Sequence, residues 1–228
     1  MAPWIAEMVG NLPALIRARE SEDQDAIVAR RRREALRVWE ASLPPLYRWA
    51  RLDHELFASR VKLERIPNAP PRARSVVFFG NAGVGKTSLA VALLRLRVER
   101  AIAKHPFDSD DEARSTGRRF QFMHAHRLGI AGLPGQGDPD DIRLAVRANV
   151  LVLDDLGSER VTKSSPIPEV IAERHAEERV MWITTGLSTK QIVDRYGGGV
   201  ARRILEGATI VRFDAAATPS GASLRHRG

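Results

Sequence analysis

SVVFFGNAGVGKTSL, residues Ser75 to Leu89, is the stretch on which the reading of this chain turns. Val76 to Phe79 form a short run of β-branched and aromatic residues, the pattern of a buried strand. Gly80-Asn81-Ala82-Gly83-Val84-Gly85-Lys86-Thr87 follows, a complete G-x-x-x-x-G-K-T phosphate loop. Ser88 to Arg95 then reads as helix. Strand, glycine-rich turn and helix are the context this motif requires. The glycines let the backbone curl with its N–H groups pointing inward, and the following helix N-terminus favours a polyphosphate. Lys86 is placed to reach the β- and γ-phosphates, and the Thr87 hydroxyl to bind Mg²⁺. Gly80 to Ser88 are therefore the expected nucleotide contacts.

The chain has 228 residues, enough for one substantial core and a small extra element. With 43% hydrophobic and 28% charged residues it is expected to fold rather than remain disordered. It has no cysteine, which excludes disulfides, thiolate zinc sites and cysteine catalysis, and fits a cytoplasmic location. The start, MAPWIAEMVGNLPALI, lacks a basic leader and carries Glu7, so it is not read as a signal peptide. No apolar run approaches a membrane span, and no membrane partner is expected. A net charge of +8 points to a polyanionic partner, nucleic acid, beyond the nucleotide itself.

Residues 1 to 20 read as one or two short helices interrupted at Pro13. Ser21-Glu22-Asp23-Gln24 is a capping-box pattern that starts a further helix to about Ala41, stopped before Pro44-Pro45. Arg30 to Arg33 lie in it, and four consecutive helical residues point all round, so they read as a solvated surface. Ile27, Val28, Ala35, Val38 and Trp39 leave a narrow seam. This region, 1–42, has little core of its own and must dock on the main domain or on another protein; the second is favoured. Residues 43–74 are expected to hold a helix from Tyr47 to Val61 and a proline-rich linker.

Past the phosphate loop, the helix is expected to continue to about Ala103, and His105 to Gly117 to form a loop. Phe120 to His124 reads as a second strand, with His124 and His126 on one face and without the further ligands a metal site needs. A loop at 133–139 and a short helix from Asp140 to Arg147 follow. Val150-Leu151-Val152-Leu153-Asp154-Asp155 is a buried strand that delivers two carboxylates to the end of a parallel sheet, beside the phosphate loop. Asp154 is expected to hold Mg²⁺ with Thr87, and Asp155 to orient or deprotonate the attacking water. Asp154-Asp155-Leu156-Gly157 also fits the D-x-x-G of GTPases, but no N-K-x-D follows, so ATP is preferred. Pro166 to Glu178 reads as helix. Val180 to Thr185 is a fourth strand whose terminal threonines are candidates for the γ-phosphate or the water. Ser188 to Tyr196, a turn at 197–199, a segment from Val200 to Gly207 and a fifth strand, Ala208 to Phe213, complete the domain 75–214. Residues 215–228 read as a flexible tail.

Five stretches, LPPLYRWARLD, FFGNAGVGKTSLA, ANVLVLDDLGSE, RHAEERVMWITTGLS and YGGGVARRILEGATIVRF, resemble the DnaC/IstB family of AAA+ ATPases over about Leu43 to Phe213. The resemblance implies an α/β fold: a P-loop AAA+ three-layer αβα domain with a five-stranded parallel sheet, preceded by a small N-terminal helical region. It implies an ATP hydrolase that assembles on DNA and loads a replicative helicase onto single-stranded DNA. The alternatives are an ATPase that assists a transposase on duplex DNA, and a nucleotide-switched binding module with little turnover. By the same likeness, Arg203 rather than Arg202 takes the place of the arginine finger, which completes a neighbouring subunit's site in a homo-oligomer. The family usually has asparagine after the paired threonines, where this chain has Gly186, so water positioning falls to Thr185. A sensor arginine beyond the last strand has one candidate, Arg225. Both departures imply slow hydrolysis.

Overall fold

A computed structural model describes residues 3–55, 75–160 and 164–213, with the backbone alone for 3–22. The linker residues 56–74, Arg225 and the tail expected over 215–228 lie outside the described residues. Five strands form one parallel sheet: β1 (Ser75–Gly80), β2 (Phe120–His124), β3 (Val150–Leu156), β4 (Val180–Thr185) and β5 (Thr209–Phe213), in the order β2-β3-β4-β1-β5. The helices are α1 (Pro3–Ser42), α2 (Lys86–Lys104), α3 (Asp110–Arg118), α4 (Ala125–Ile130), α5 (Asp140–Arg147), α6 (Ile167–Ala176), α7 (Thr189–Tyr196) and α8 (Gly198–Leu205).

The strands are apolar runs because both faces of the sheet are covered. Alternate residues point to opposite faces, and the two cores follow that alternation. Val76, Phe78, Val150, Val152 and Trp182 pack under α1, α2 and α3. Val77, Phe79, Leu151, Leu153, Met181 and Ile183 pack under α4 to α8. The chain leaves β1 across one face and leaves its neighbour β4 across the other, so their loops part and a crevice opens at the C-terminal ends. That crevice is where the phosphate loop lies. Among the described residues, no helix is long and apolar enough to cross a membrane.

Three local expectations need correction. Residues 105–117 are not one loop: α3 begins at Asp110, with the Ser109 hydroxyl accepting from the Glu112 N–H and the Glu112 carboxylate accepting from the Asp108 N–H at 2.7 Å. The S-x-x-E spacing is legible in the sequence, though the Glu112 carboxylate takes the Asp108 N–H, one residue before the N-cap, and not that of Ser109. From Tyr47 to His54 there is no α-helix, only a 3-10 turn over Pro45–Tyr47 and irregular chain; the rest of the expected helix, to Val61, lies outside the described residues. Pro13 and Ser21 do not divide α1, because strong helix formers flank both and one missing N–H removes a single rung of the ladder.

The second half of α1 lies on the sheet domain. Ala35 and Trp39 are fully buried, and Leu43 nearly so. α1 crosses α3 closely at Gly117, where a Cβ would stand 2.4 Å from the Ala35 carbonyl oxygen. Arg30 and Arg31 are not free in solvent: both pair with Asp110, and Arg31 donates to the Phe107 carbonyl at 2.7 Å. The seam that looked too narrow for a core is wide enough for a helix that a glycine admits this closely.

Candidate functional site

The loop between β1 and α2 is shaped by two glycines. Gly85 caps α2 in the left-handed conformation, φ 93°, which a side chain would strain. Gly80 passes so near β5 that a Cβ would meet the Phe213 Cβ at 2.8 Å. Asn81, Ala82 and Gly83 are exposed at the rim, and Val84 is half-buried against the core. Lys86 is buried and donates to the carbonyls of Gly80 and Asn81 at 2.7 and 2.8 Å. Burial pushes its ammonium below the usual lysine range, while Asp155 and Asp154 pull it back. Tyr47, Gly83, Gly85, Lys86, Thr87 and Ser88 line an open cleft of about 410 Å³. Backbone donors, a helix N-terminus and an ammonium group in one cleft suit a polyphosphate.

β3 brings the acid pair to this cleft. Asp154 is 2% exposed and has partners at both carboxylate oxygens. Its Oδ1 accepts from the Thr87 and Thr184 hydroxyls, each at 2.7 Å, and its Oδ2 lies 3.0 Å from His124 Nδ1. The hydrogen bond with Asp154 holds the His124 imidazole above its ordinary pKa, against the opposing effect of burial. His126 falls in α4, so the two histidines do not share a strand face. Thr87 and Asp154 present two oxygen ligands side by side at the phosphate end, a donor set that fits a hard divalent cation such as Mg²⁺. Asp155 sits in a bulge between Leu153 and Leu156 with φ 55°. Its N–H donates to Thr184 Oγ1 at 2.9 Å, and its side chain stands exposed beyond the sheet. A left-handed aspartate is uncommon, and here the turn is fixed from several sides.

Thr185 cannot position a water. It is fully buried, donates to the Leu156 carbonyl at 2.6 Å and accepts from the Leu187 N–H at 3.0 Å. Thr184, one residue earlier, shares the sheet face of Trp182 and reaches Asp154. Strand alternation separates the two threonines, but only once the face carrying α2 is known. Gly186 lies beside the phosphate loop: a Cβ there would be 3.8 Å from the Gly80 carbonyl oxygen, with room for a side chain.

Glu159 is a buried carboxylate that the sequence does not single out. It accepts from the Gly157 N–H at 2.9 Å and from Arg195 Nε at 3.1 Å, and also hydrogen-bonds the Tyr196 hydroxyl. It thereby ties the turn behind Asp155 to α7. Arg203 lies at the opposite end of the sheet, in a cleft with Ser75, Met181 and Glu206, and donates to the Gly199 carbonyl at 3.1 Å. Arg202 is paired with Glu206. β1 alone spans about 17 Å between Ser75 and the phosphate loop. Arg203 and the phosphate loop of the same chain are therefore not one site.

No family model matches the sequence, and no curated protein matches it. Solved structures do. The crystal structure of the DnaC helicase loader is 24% identical, covers 75% of this chain and all of its own, and superposes with a TM-score of 0.49. DnaI is 18% identical over 70% of this chain and 82% of its own, at a TM-score of 0.47. AMPPCP-bound DnaA from Aquifex aeolicus is 18% identical over 75% of this chain and 52% of its own, at 0.43.

Proposed function

We propose that this chain is an ATP-dependent DNA replication accessory protein of the DnaC type, which binds ATP with Mg²⁺ and single-stranded DNA and delivers a replicative helicase in the cytoplasm. The observation that carries the proposal is the 2.7 Å hydrogen bond between Thr87 and Asp154, which joins the phosphate loop to the acid pair. Lys86 and the loop N–H groups would hold the β- and γ-phosphates. Thr87 and Asp154 would hold Mg²⁺, which neutralises charge on the phosphate oxygens when bound. Asp155, exposed at the mouth, would take the proton of the attacking water. Arg203 would reach the phosphates of a neighbouring copy, since it stands at the far end of its own sheet. The net charge of +8 supports single-stranded DNA as the polyanion. The first half of α1, residues 3–22, is the segment for the helicase, the second half being committed to the core.

Steady-state ATPase assays with and without single-stranded DNA test this reading, together with co-purification of the host's replicative helicase. Hydrolysis stimulated by DNA and abolished in Asp155→Asn is expected. Absence of a helicase complex, with or without ATP, would sink the loader function. A second reading, a nucleotide-switched binding module, is favoured by the engaged hydroxyl of Thr185 and the bare position at Gly186. Nucleotide binding without measurable turnover, with DNA and helicase present, would select it.

A further inference from the structure

We propose that Tyr47 is a nucleotide-binding residue, supplying its phenol O–H to the terminal phosphates of a nucleoside triphosphate from the segment between α1 and β1. The inference rests on the nucleotide-site reading above and adds a contact from outside the strand–loop–helix motif. Tyr47 lines the phosphate cleft beside Lys86, Thr87 and Ser88. Its ring lies against Phe122 at 5.8 Å and His124 at 6.5 Å between centroids, at the C-terminal end of β2. A tyrosine that only filled the core would have no reason to turn its polar end into an open cleft.

The position of Tyr47 is built. The chain over residues 43–50 is clamped to α2, the helix that starts at the phosphate loop. Arg95 of α2 is 4% exposed and donates to the carbonyls of Arg48 at 2.9 Å and Ala50 at 3.3 Å. The same guanidinium pairs with Glu40 and stands 5.0 Å over the Trp39 ring. Arg48 turns back to the Leu43 carbonyl at 3.2 Å, and Leu43 and Ala50 are buried. Pro44 and Pro45 restrict the backbone at the start of the turn. The phenol is thus held in fixed relation to the loop it faces, so little ordering is left to do when a ligand enters.

Burial, and next the Asp154 carboxylate, raise the Tyr47 phenol above its ordinary pKa, with the Thr87 hydrogen bond opposing them. Like any tyrosine hydroxyl, the group is a neutral donor at neutral pH. A phosphate oxygen is a charged acceptor, which strengthens the hydrogen bond. Since Tyr47 lines the cleft beside Lys86 and Thr87, it meets the β,γ end of a polyphosphate, not the base.

Titration of the full chain with fluorescent AMPPNP and ADP analogues, in Mg²⁺, tests the proposal. Tyr47→Phe keeps the ring on Phe122 and removes only the hydroxyl. It should weaken the triphosphate analogue roughly tenfold, and the diphosphate less. Unchanged triphosphate affinity in Tyr47→Phe, with binding lost in Lys86→Ala, would overturn the role of Tyr47 and leave the nucleotide site standing. Binding retained in Lys86→Ala would overturn the site itself, and this inference with it.

Discussion

Replacing Gly117 with alanine sets two opposing magnitudes against each other and asks whether α1 belongs to the core. Gly117 lies one residue before the end of α3. Helix propensity alone favours alanine over glycine by about 1 kcal/mol. Against it stands the crossing with α1: the new Cβ would lie 2.4 Å from the Ala35 carbonyl oxygen and 3.3 Å from the Val38 Cβ. The first of these is backbone and cannot rotate aside, so the helices must part by about 1 Å to restore ordinary contact. A gap of that size forfeits a quarter to a half of each dispersion contact across it, and overpacking of this kind costs about 1–3 kcal/mol. Ala35 and Trp39, both fully buried in this layer, bear the loss. The net expectation is destabilisation by about 0–2 kcal/mol, read as a lower urea midpoint at unchanged slope, and by about 1–3 kcal/mol once the propensity gain is subtracted with a clash-free reference. Gly198→Ala is the reference for propensity without a clash, since no atom lies within 4 Å of its Cβ position. If Gly117→Ala gains as much stability as Gly198→Ala, α1 does not lie on α3 in solution. Its second half would then belong to the partner surface and not to the ATPase core.

Arg174 is fully buried, and its hydrogen bonds go to the carbonyls of Ala145, Val146, Ala148 and Val180, joining the end of α5 to the start of β4. Burial pushes its guanidinium down to about 10, and Arg174→Met should still cost about 3–5 kcal/mol because the carbonyls lose their donor; a variant that melts with the parent would mean the desolvation cost wins. Glu159→Gln should lower kcat for ATP roughly tenfold at unchanged KM by loosening the turn behind Asp155, and an unchanged kcat would remove Glu159 from the machinery. Gly186→Asn fills a free position beside the Gly80 carbonyl and should raise turnover roughly tenfold; equal rates would show that a polar side chain there does not act on the water.

Much of the sheet was legible because each strand is an apolar run closed by polar or glycine residues. Val150 to Asp155 carries the acid pair at its end, and β3 places it where that pattern implies. α5 spans the Asp140 to Arg147 read from the sequence. What failed locally failed for identifiable reasons. The segment after Pro44-Pro45 has helical composition but is held by Arg95, a contact across 45 to 47 residues that no local pattern reveals. The docking of α1 depends on one glycine 82 residues away from Ala35. Thr184 and Thr185 are identical in sequence terms, and the difference between ligand-side and core-side hydroxyl is a question of sheet face. Glu159, Arg195 and Tyr196 join over 36 and 37 residues, which is why a carboxylate following the acid pair carried no signal. Period and punctuation give elements; contacts between distant elements finish the site.

The placement of Arg203 constrains any assembly in which it acts. The phosphate loop occupies one end of the strands and Arg203 the other, about 17 Å apart along β1. A two-fold dimer in which Arg203 acts must carry the loop and Arg203 on one self-complementary patch, each meeting its counterpart reciprocally. A head-to-tail interface needs no shared patch, because the Arg203 end of each copy faces the loop end of the next, and such contacts close into rings or continue as filaments. This makes a mixing experiment quantitative. Lys86→Ala should bind no nucleotide, and Arg203→Ala should bind it without efficient turnover, so each alone is inactive. In an equal random mixture a working site needs an Arg203→Ala subunit holding the nucleotide and a Lys86→Ala subunit donating the arginine. That combination occurs at about a quarter of the junctions, so activity should return to about a quarter of the parent rate. No recovery, in mixtures whose co-assembly is verified by cross-linking, would place Arg203 outside the reaction and return the α8 end to an ordinary basic surface.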